Sequence, residues 1–182
     1  MANLYYIHGY LSDPNSTKGI LFKEKLNVKA IKYRDCEPED LVISDCVSRI
    51  KEEIKDDDEV VLIGSSLGGL LAAKTALDVK NIKTLILLNP AIVPLDVDIS
   101  RIQGMPKDIL ADMQDSQLFS KKIHSDIFVL LGMQDDVVPN SWGEKFAEKQ
   151  NAKVMFFVDD HSFTHNINRL PEVIGNIIYK KH

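Results

Sequence analysis

Short apolar runs recur along the chain, and the segments between them are long enough to form helices. The runs are nearly continuous in apolar residues rather than alternating, which is typical of strands covered by helices on both faces. We predict strands at 4–8, 28–33, 59–63, 84–88, 127–131 and 153–158. We predict helices at about 16–26, 38–55, 66–79, 140–150 and 170–179. This alternation of strands and helices favours an α/β fold with about six mostly parallel strands and helices on both faces.

The stretch 89–124 interrupts the alternation. It holds three prolines and one glycine, and only 107–113 has a weak helical pattern. Because it follows the predicted strand 84–88, it would cover the carboxyl edge of the sheet as a small cap. A meandering surface loop explains the pattern equally well. At 182 residues the chain suits one compact domain spanning 1–182.

Charge and cysteine content limit the binding partners and the cellular location that we expect for this protein. The net charge is −5, and no basic cluster exceeds two residues, so neither nucleic acid nor an anionic membrane is an expected partner. No apolar run approaches the roughly 20 residues of a spanning helix, and the start of the chain does not resemble a secretion signal. Cys36 and Cys46 form neither a disulfide framework nor a C-x-x-C motif. We expect a cytoplasmic protein with reduced thiols; the sequence leaves its oligomeric state open.

The segment 64–69 carries the strongest chemical signal. An apolar strand enters it and a predicted helix leaves it, which is the setting of a nucleophile elbow, G-x-S-x-G. Gly64 and Gly68 are the glycines of that frame, so Ser66 is the candidate nucleophile. A sharp strand-to-helix turn needs residues with almost no side chain two positions away on either side.

Other interpretations of this glycine-rich turn are a tight connection without chemistry or a phosphate site. A P-loop requires a lysine after its last glycine, but Leu70 follows Gly69 here. The G-x-G-x-x-G pattern of dinucleotide sites is also absent.

A nucleophilic serine needs a base and a carboxylate that orients the base. In the chain order of such hydrolases, the acid follows the serine and the histidine comes last. Asp135 follows the fifth predicted strand and is the favoured acid, with Asp136 as the alternative. His161 follows the sixth strand and is the candidate base.

Two further features of the strand ends bear on the site. His161 and His165, with Asp159 and Asp160, also match a metal-ligand spacing, but that interpretation leaves the serine unexplained. The turn after the first strand would supply an oxyanion donor from the backbone N–H of Tyr10, or alternatively of Leu11, to pair with the N–H of Leu67. His8, which precedes the serine, is interpreted as a structural residue.

At this point the sequence resembles the α/β-hydrolases, and more narrowly the small bacterial esterases of the YqiA type. The resemblance spans most of the chain. It rests on Leu4-Tyr5-Tyr6-Ile7-His8-Gly9-Tyr10 with Ser16 and Lys18, on Gly64-Ser65-Ser66-Leu67-Gly68-Gly69, on Asn89-Pro90-Ala91 and on His161-Ser162-Phe163-Thr164. It implies Ser66 as nucleophile, His161 as base, Asp135 as orienting acid, a nearly lidless fold and activity on short acyl esters.

The chain departs from that pattern at Asp159 and Asp160, since relatives tend to have glycine before the histidine loop. Nearby carboxylates favour a charged imidazolium, so we expect the acidic limb of the pH–rate profile at higher pH than in those relatives. The sequence as a whole predicts a serine hydrolase of small carboxylic esters or thioesters, with no cofactor and no metal. The alternative is a catalytically silent module of the same fold that binds a protein or a small acyl ligand.

Overall fold

The computed structural model describes residues 2–179, which form one six-stranded sheet with helices on both faces. The strands are β1 (Asn3–Ile7), β2 (Lys29–Ala30), β3 (Val60–Ser65), β4 (Ile82–Leu88), β5 (Asp126–Gly132) and β6 (Lys153–Phe157). Their order is β2-β1-β3-β4-β5-β6, and all five pairings are parallel. The predicted α/β architecture is therefore confirmed.

The helices are α1 (Thr17–Leu26), α2 (Ile43–Ile54), α3 (Leu67–Asp78), α4 (Lys107–Met113), α5 (Gln117–Ser120), α6 (Asn140–Gln150) and α7 (Leu170–Tyr179). Alternate residues of the central strands enter two separate apolar clusters: Leu85 and Leu87 face α2, α3 and α6, whereas Ile86 and Leu88 face α1 and α7. This burial on both faces explains why the strands have continuous apolar sequences. Within residues 2–179, no helix is both long enough and apolar enough to cross a membrane.

Two predicted elements are shorter than expected. The second strand spans only Lys29–Ala30, because the chain leaves the sheet edge there and brings Tyr33 beneath the first strand's turn. The predicted helix 38–55 is a 3₁₀ turn at Pro38–Asp40 followed by α2. Leu41 and Val42 are extended between them, so that Leu41 and Ile43 point to the same side and are both buried.

The edge strand β6 is not buried on both faces. Met155 and Phe156 on it are exposed, at 37% and 51% of their full surface. The segment 89–124 does more than meander: it contains α4, α5 and a 3₁₀ turn at Ile99–Arg101, and part of it lines the cavity over the carboxyl edge. At the carboxyl edge, the chain leaves the neighbouring strands β1 and β3 toward opposite faces of the sheet, to α1 and α3. The crevice between two such strands is the usual position of a ligand site in a parallel sheet.

Candidate active site

Ser66 occupies a strained turn between β3 and α3. Its backbone has φ 54° and ψ −121°, values that a residue with a side chain rarely adopts. The surrounding backbone holds it there: the Ser66 N–H donates to the Leu88 carbonyl at 3.0 Å, and its own carbonyl accepts from Gly69 and Ala91. The hydroxyl is thereby presented at the N-terminus of α3.

The two glycines of the elbow are required by close backbone packing. A Cβ on Gly64 would overlap the Gly68 carbonyl, and a Cβ on Gly68 would overlap the carbonyls of Ile7 and His8. The elbow can therefore pack directly against the end of β1 only with glycine at these positions.

The structure brings Ser66, His161 and Asp135 together from the ends of three strands. Nε2 of His161 lies 3.1 Å from Oγ of Ser66, and Nδ1 of His161 lies 2.8 Å from Oδ2 of Asp135. Because a carboxylate only accepts, Nδ1 carries the proton and Nε2 is free to accept one from the serine. The arrangement can transfer a proton from Ser66 to His161.

Asp135 is fixed by its own loop. Its Oδ1 accepts the backbone N–H groups of Val137 and Val138, both at 2.9 Å, and leaves Oδ2 for the imidazole. The side chain is only 1% exposed, whereas that of His161 is 19% exposed and faces the cavity. The neighbouring Asp136 is exposed and forms no such contact with the histidine.

The histidine loop is ordered by the buried carboxylate of Asp159. It accepts the backbone N–H groups of Asp160, His165 and Asn166 and the side-chain amide of Asn166, at 2.7–3.1 Å. Burial would raise the pKa of Asp159, but these hydrogen bonds outweigh it and lower the pKa to about 2. The sequence motif gave no signal of this role.

Asp160 has a similar local function, since its Oδ1 accepts the N–H groups of Ser162 and Thr164.

Asp159, Asp160 and His165 have ligand atoms within 4.8 Å of one another. An ion there would have to displace the hydrogen bonds that shape the loop, and His161 lies in the serine relay instead of this group. The expected shift in the pH–rate profile stays a prediction.

A network that the sequence did not reveal supports the turn after β1. Arg34 donates to the Tyr10 carbonyl at 2.8 Å, to the Ser12 carbonyl at 3.0 Å and to the Tyr33 hydroxyl at 2.8 Å. The Tyr33 hydroxyl in turn lies 3.1 Å from the Gly9 carbonyl. With its carbonyls held on one side, the turn presents its N–H groups on the other.

His8 belongs to this network and not to the serine relay. Its ring stacks on Tyr33 with centroids 4.3 Å apart, and Nδ1 lies 2.9 Å from the Gly9 carbonyl. Burial lowers the pKa of His8 to about 4. The side chain is therefore neutral near pH 7.

Tyr10 and Leu67, the candidate oxyanion donors, both line the cavity that contains Ser66 and His161. Within residues 2–179, neither backbone N–H donates a hydrogen bond. For Leu67 this follows from its position as the first residue of α3, where no helical acceptor exists.

The cavity has a volume of about 800 Å³ and two chemically different walls. Apolar side chains of segment 89–124 and of the region around α6 form one wall. Its members are Ala91, Ile102, Met105, Leu110, Met113, Val138 and Trp142. The start of α1 and the histidine loop form the other, more polar wall, where Tyr6, Leu11 and Ile167 accompany Ser12, Ser16, Thr17, Lys18, Ser162 and Thr164. The cavity is large enough for a drug-sized ligand.

A six-stranded parallel sheet with a serine at the elbow after β3 defines the class of fold: the protein has the α/β-hydrolase fold. More narrowly, the chain belongs to the uncharacterised protein family UPF0227, whose model matches residues 3–179. The predicted resemblance is confirmed at this level. A comparison with curated proteins gave no significant match.

Solved structures share the fold at low sequence identity. Est1E from Butyrivibrio proteoclasticus, solved with ferulic acid bound, has a TM-score of 0.81 at 18% identity and aligns over 100% of this chain and 89% of its own. Mouse alpha/beta hydrolase domain-containing protein 10 gives 0.81 at 18% identity, over 99% and 90%. The Pyrococcus furiosus esterase Pf2001 gives 0.73 at 19% identity, over 97% and 80%.

Proposed function

We propose that the protein is a serine hydrolase that cleaves short-chain carboxylic esters or thioesters through an acyl-enzyme. The observation that carries the proposal is the continuous hydrogen-bonded relay from Ser66 through His161 to Asp135. The name of one structural neighbour, the Pyrococcus furiosus esterase Pf2001, agrees with it. The apolar wall of the cavity suits an acyl chain.

In the first half-reaction, Oγ of Ser66 attacks the acyl carbon while Nε2 of His161 takes its proton. The carbonyl oxygen becomes an oxyanion, which the N–H groups of Tyr10 and Leu67 stabilise. The imidazolium, held by Asp135, then donates its proton to the leaving oxygen or sulfur as the C–O or C–S bond breaks.

In the second half-reaction, water replaces the leaving group. His161 takes a proton from the water, the hydroxide attacks the acyl-enzyme, and the proton returns to Ser66 Oγ when the acid departs. The two half-reactions together consume one water and one ester, and no cofactor or metal takes part in either step.

The proposal is tested with a fluorophosphonate probe and a chain-length series of acyl esters and thioesters. Wild-type protein is labelled and hydrolyses the short esters, whereas Ser66→Ala abolishes labelling and lowers kcat by about 10⁴-fold or more. Ser65→Ala is the matched control, because it removes the adjacent hydroxyl, which the relay does not use.

Two results would refute the proposal. Turnover that survives Ser66→Ala places the chemistry elsewhere, and folded wild-type protein that neither labels nor turns over any ester supports the binding module instead. The same relay serves acyl transfer and C–C bond cleavage, so ester hydrolysis is distinguished by the products.

A further inference from the structure

Lys18 is a positively charged residue in the polar wall of the cavity that contains Ser66 and His161. It is the second residue of α1, and its side chain lines the same space as Ser66 and His161. The opposite wall is apolar, so the cavity has one charged side and one uncharged side. A substrate with the same asymmetry would fit both walls.

Lys18 has no anionic partner of its own. Among residues 2–179, its ammonium group forms neither a hydrogen bond nor an ion pair. The carboxylates of Asp160 and Asp159 interact electrostatically with Lys18 and favour its ammonium form. Both already accept hydrogen bonds from N–H groups of the histidine loop. Burial has the larger effect and lowers the pKa of Lys18. A half-buried cation without a partner costs free energy, and such groups concentrate at functional sites.

The reaction geometry decides which part of the substrate meets Lys18. The leaving oxygen or sulfur must lie next to His161, because His161 donates the proton to it. Ser162 and Thr164, which follow His161 in the same loop, form the polar wall together with Lys18. The alcohol or thiol portion therefore extends along the polar wall, and the acyl chain lies against the apolar one.

We propose that Lys18 determines leaving-group specificity by binding an anionic group, a carboxylate or a phosphate, on the alcohol or thiol portion of the substrate. This inference rests on the proposed function, because it assumes an ester whose carbonyl carbon is attacked by Ser66. The N-terminal end of α1 lies at the same wall, so the helix dipole adds to the field of the lysine.

The test uses butyrate esters with the same acyl group and different phenol portions. The three esters are 4-(butyryloxy)benzoate, 4-(butyryloxy)phenyl phosphate and, as the neutral reference, ethyl 4-(butyryloxy)benzoate. We expect wild-type kcat/KM to be higher for at least one anionic ester than for the reference. Lys18→Met should reduce that preference by about tenfold or more, and Lys18→Arg should retain most of it.

Lys25→Met is the matched control, since Lys25 is exposed on the same helix and does not line the cavity. It should leave all three rates unchanged. Monophenyl succinate and phenyl butyrate form a second pair, with the charge on the acyl side, and Lys18→Met should leave their ratio nearly unchanged.

A drop in either the carboxylate or the phosphate arm supports the proposal, and the larger drop identifies the anion. An unchanged preference in Lys18→Met, or a loss confined to the succinate pair, overturns it. If Lys18→Met does not fold, the wild-type preference decides: rates for the anionic esters no higher than the reference overturn the proposal. Failure of the proposed function looks different: either Ser66→Ala hydrolyses all the esters as fast as the wild type, or the folded wild type hydrolyses none of them, the neutral reference included.

Discussion

Asn89 connects the loop of the candidate base to the strand that precedes the candidate acid. Its side-chain amide donates to the His161 carbonyl at 2.9 Å, and its Oδ1 accepts the N–H of Gly132 at 2.8 Å. The residue is buried and has a positive φ of 43°. One amide thus sets the spacing between the ends of β5 and β6.

Replacing Asn89 with Asp should lower kcat by about 10- to 100-fold and change KM little. The carboxylate cannot donate to the His161 carbonyl, so the base shifts relative to Ser66. Steady-state kinetics on a short ester measure the effect. Asn176→Ala, at an exposed position of α7, is the control. Equal losses in both variants would contradict a positioning role.

Asp135→Asn should lower kcat by about 10⁴-fold while the protein stays folded. The new amide keeps an acceptor for Val137 and Val138 but presents a donor to Nδ1, which favours the wrong imidazole tautomer. Asp136→Asn should keep nearly full activity because that side chain is exposed. The reverse pattern in the two variants would make Asp136 the acid.

Arg34→Gln should reduce kcat about 10-fold or more with a smaller effect on KM. The substitution removes the donors to the Tyr10 carbonyl and to the Tyr33 hydroxyl. That hydroxyl donates to the Gly9 carbonyl, which belongs to the same peptide unit as the proposed oxyanion donor, the Tyr10 N–H, so this N–H loses its orientation. Arg49→Gln removes only an exposed ion pair with Asp35 and serves as the comparison. A change confined to KM would show that the turn affects binding alone.

Two glycine substitutions should change stability in opposite directions. Gly68→Ala forces a methyl group into the carbonyls of Ile7 and His8 and should cost about 3 kcal/mol of unfolding free energy. At Gly175 on α7, a Cβ would lie 3.7 Å from the Leu26 side chain, an ordinary contact. Gly175→Ala should therefore add up to about 1 kcal/mol from helix propensity. Urea denaturation measures both values; a stable Gly68→Ala protein would disprove the packing argument.

His8 should make the protein less stable in mild acid. Its pKa is about 4 in the folded protein, against 6.5 for the unperturbed group, so between these values the unfolded chain binds a proton that the native state does not. Stability contributed by neutral His8 is therefore present above pH 6.5 and is lost as the pH falls toward 4, by up to about 3 kcal/mol.

This contribution is measured as the unfolding free energy of wild type and His8→Gln between pH 7 and pH 4. The variant should show a shallower decline across the window. His124→Gln, at an exposed position, should decline like the wild type. Parallel curves for all three proteins would assign the acid sensitivity to other groups.

The sheet was predictable because most of its strands are buried on both faces, and such strands have continuous runs of apolar residues. The predicted bounds were wrong where buried apolar residues lie outside a strand or a helix. Ile31 and Tyr33 are apolar and buried, but both come after the end of β2: the Ile31 N–H donates once more to β1, and the Tyr33 hydroxyl donates to the turn after β1. The extended Leu41 interrupts a helical pattern for a similar reason, since tertiary packing overrides local preference.

The candidate triad was also accessible from the sequence, because an elbow and two strand ends share one edge of a parallel sheet. The positioning roles of Arg34, Asn89 and Asp159 were not predictable, although the sequence does indicate Asp159 as a charge near His161 and as an alternative metal ligand. Each of the three acts through hydrogen bonds to backbone groups distant in sequence or hidden within a loop. Such partners leave no periodic or spacing signal. The catalytic roles themselves, and the oxyanion donors Tyr10 and Leu67, stay predictions.

The exposure of β6 has a consequence for how the proposed activity would be lost. Ser66 and His161 are 95 positions apart, and the histidine depends on an edge strand that is covered less well than the central ones. Fraying of that edge would separate base from nucleophile while the middle of the sheet stayed intact. As denaturant is added, activity should thus be lost before global unfolding. Turnover would then measure the integrity of the β6 edge alone.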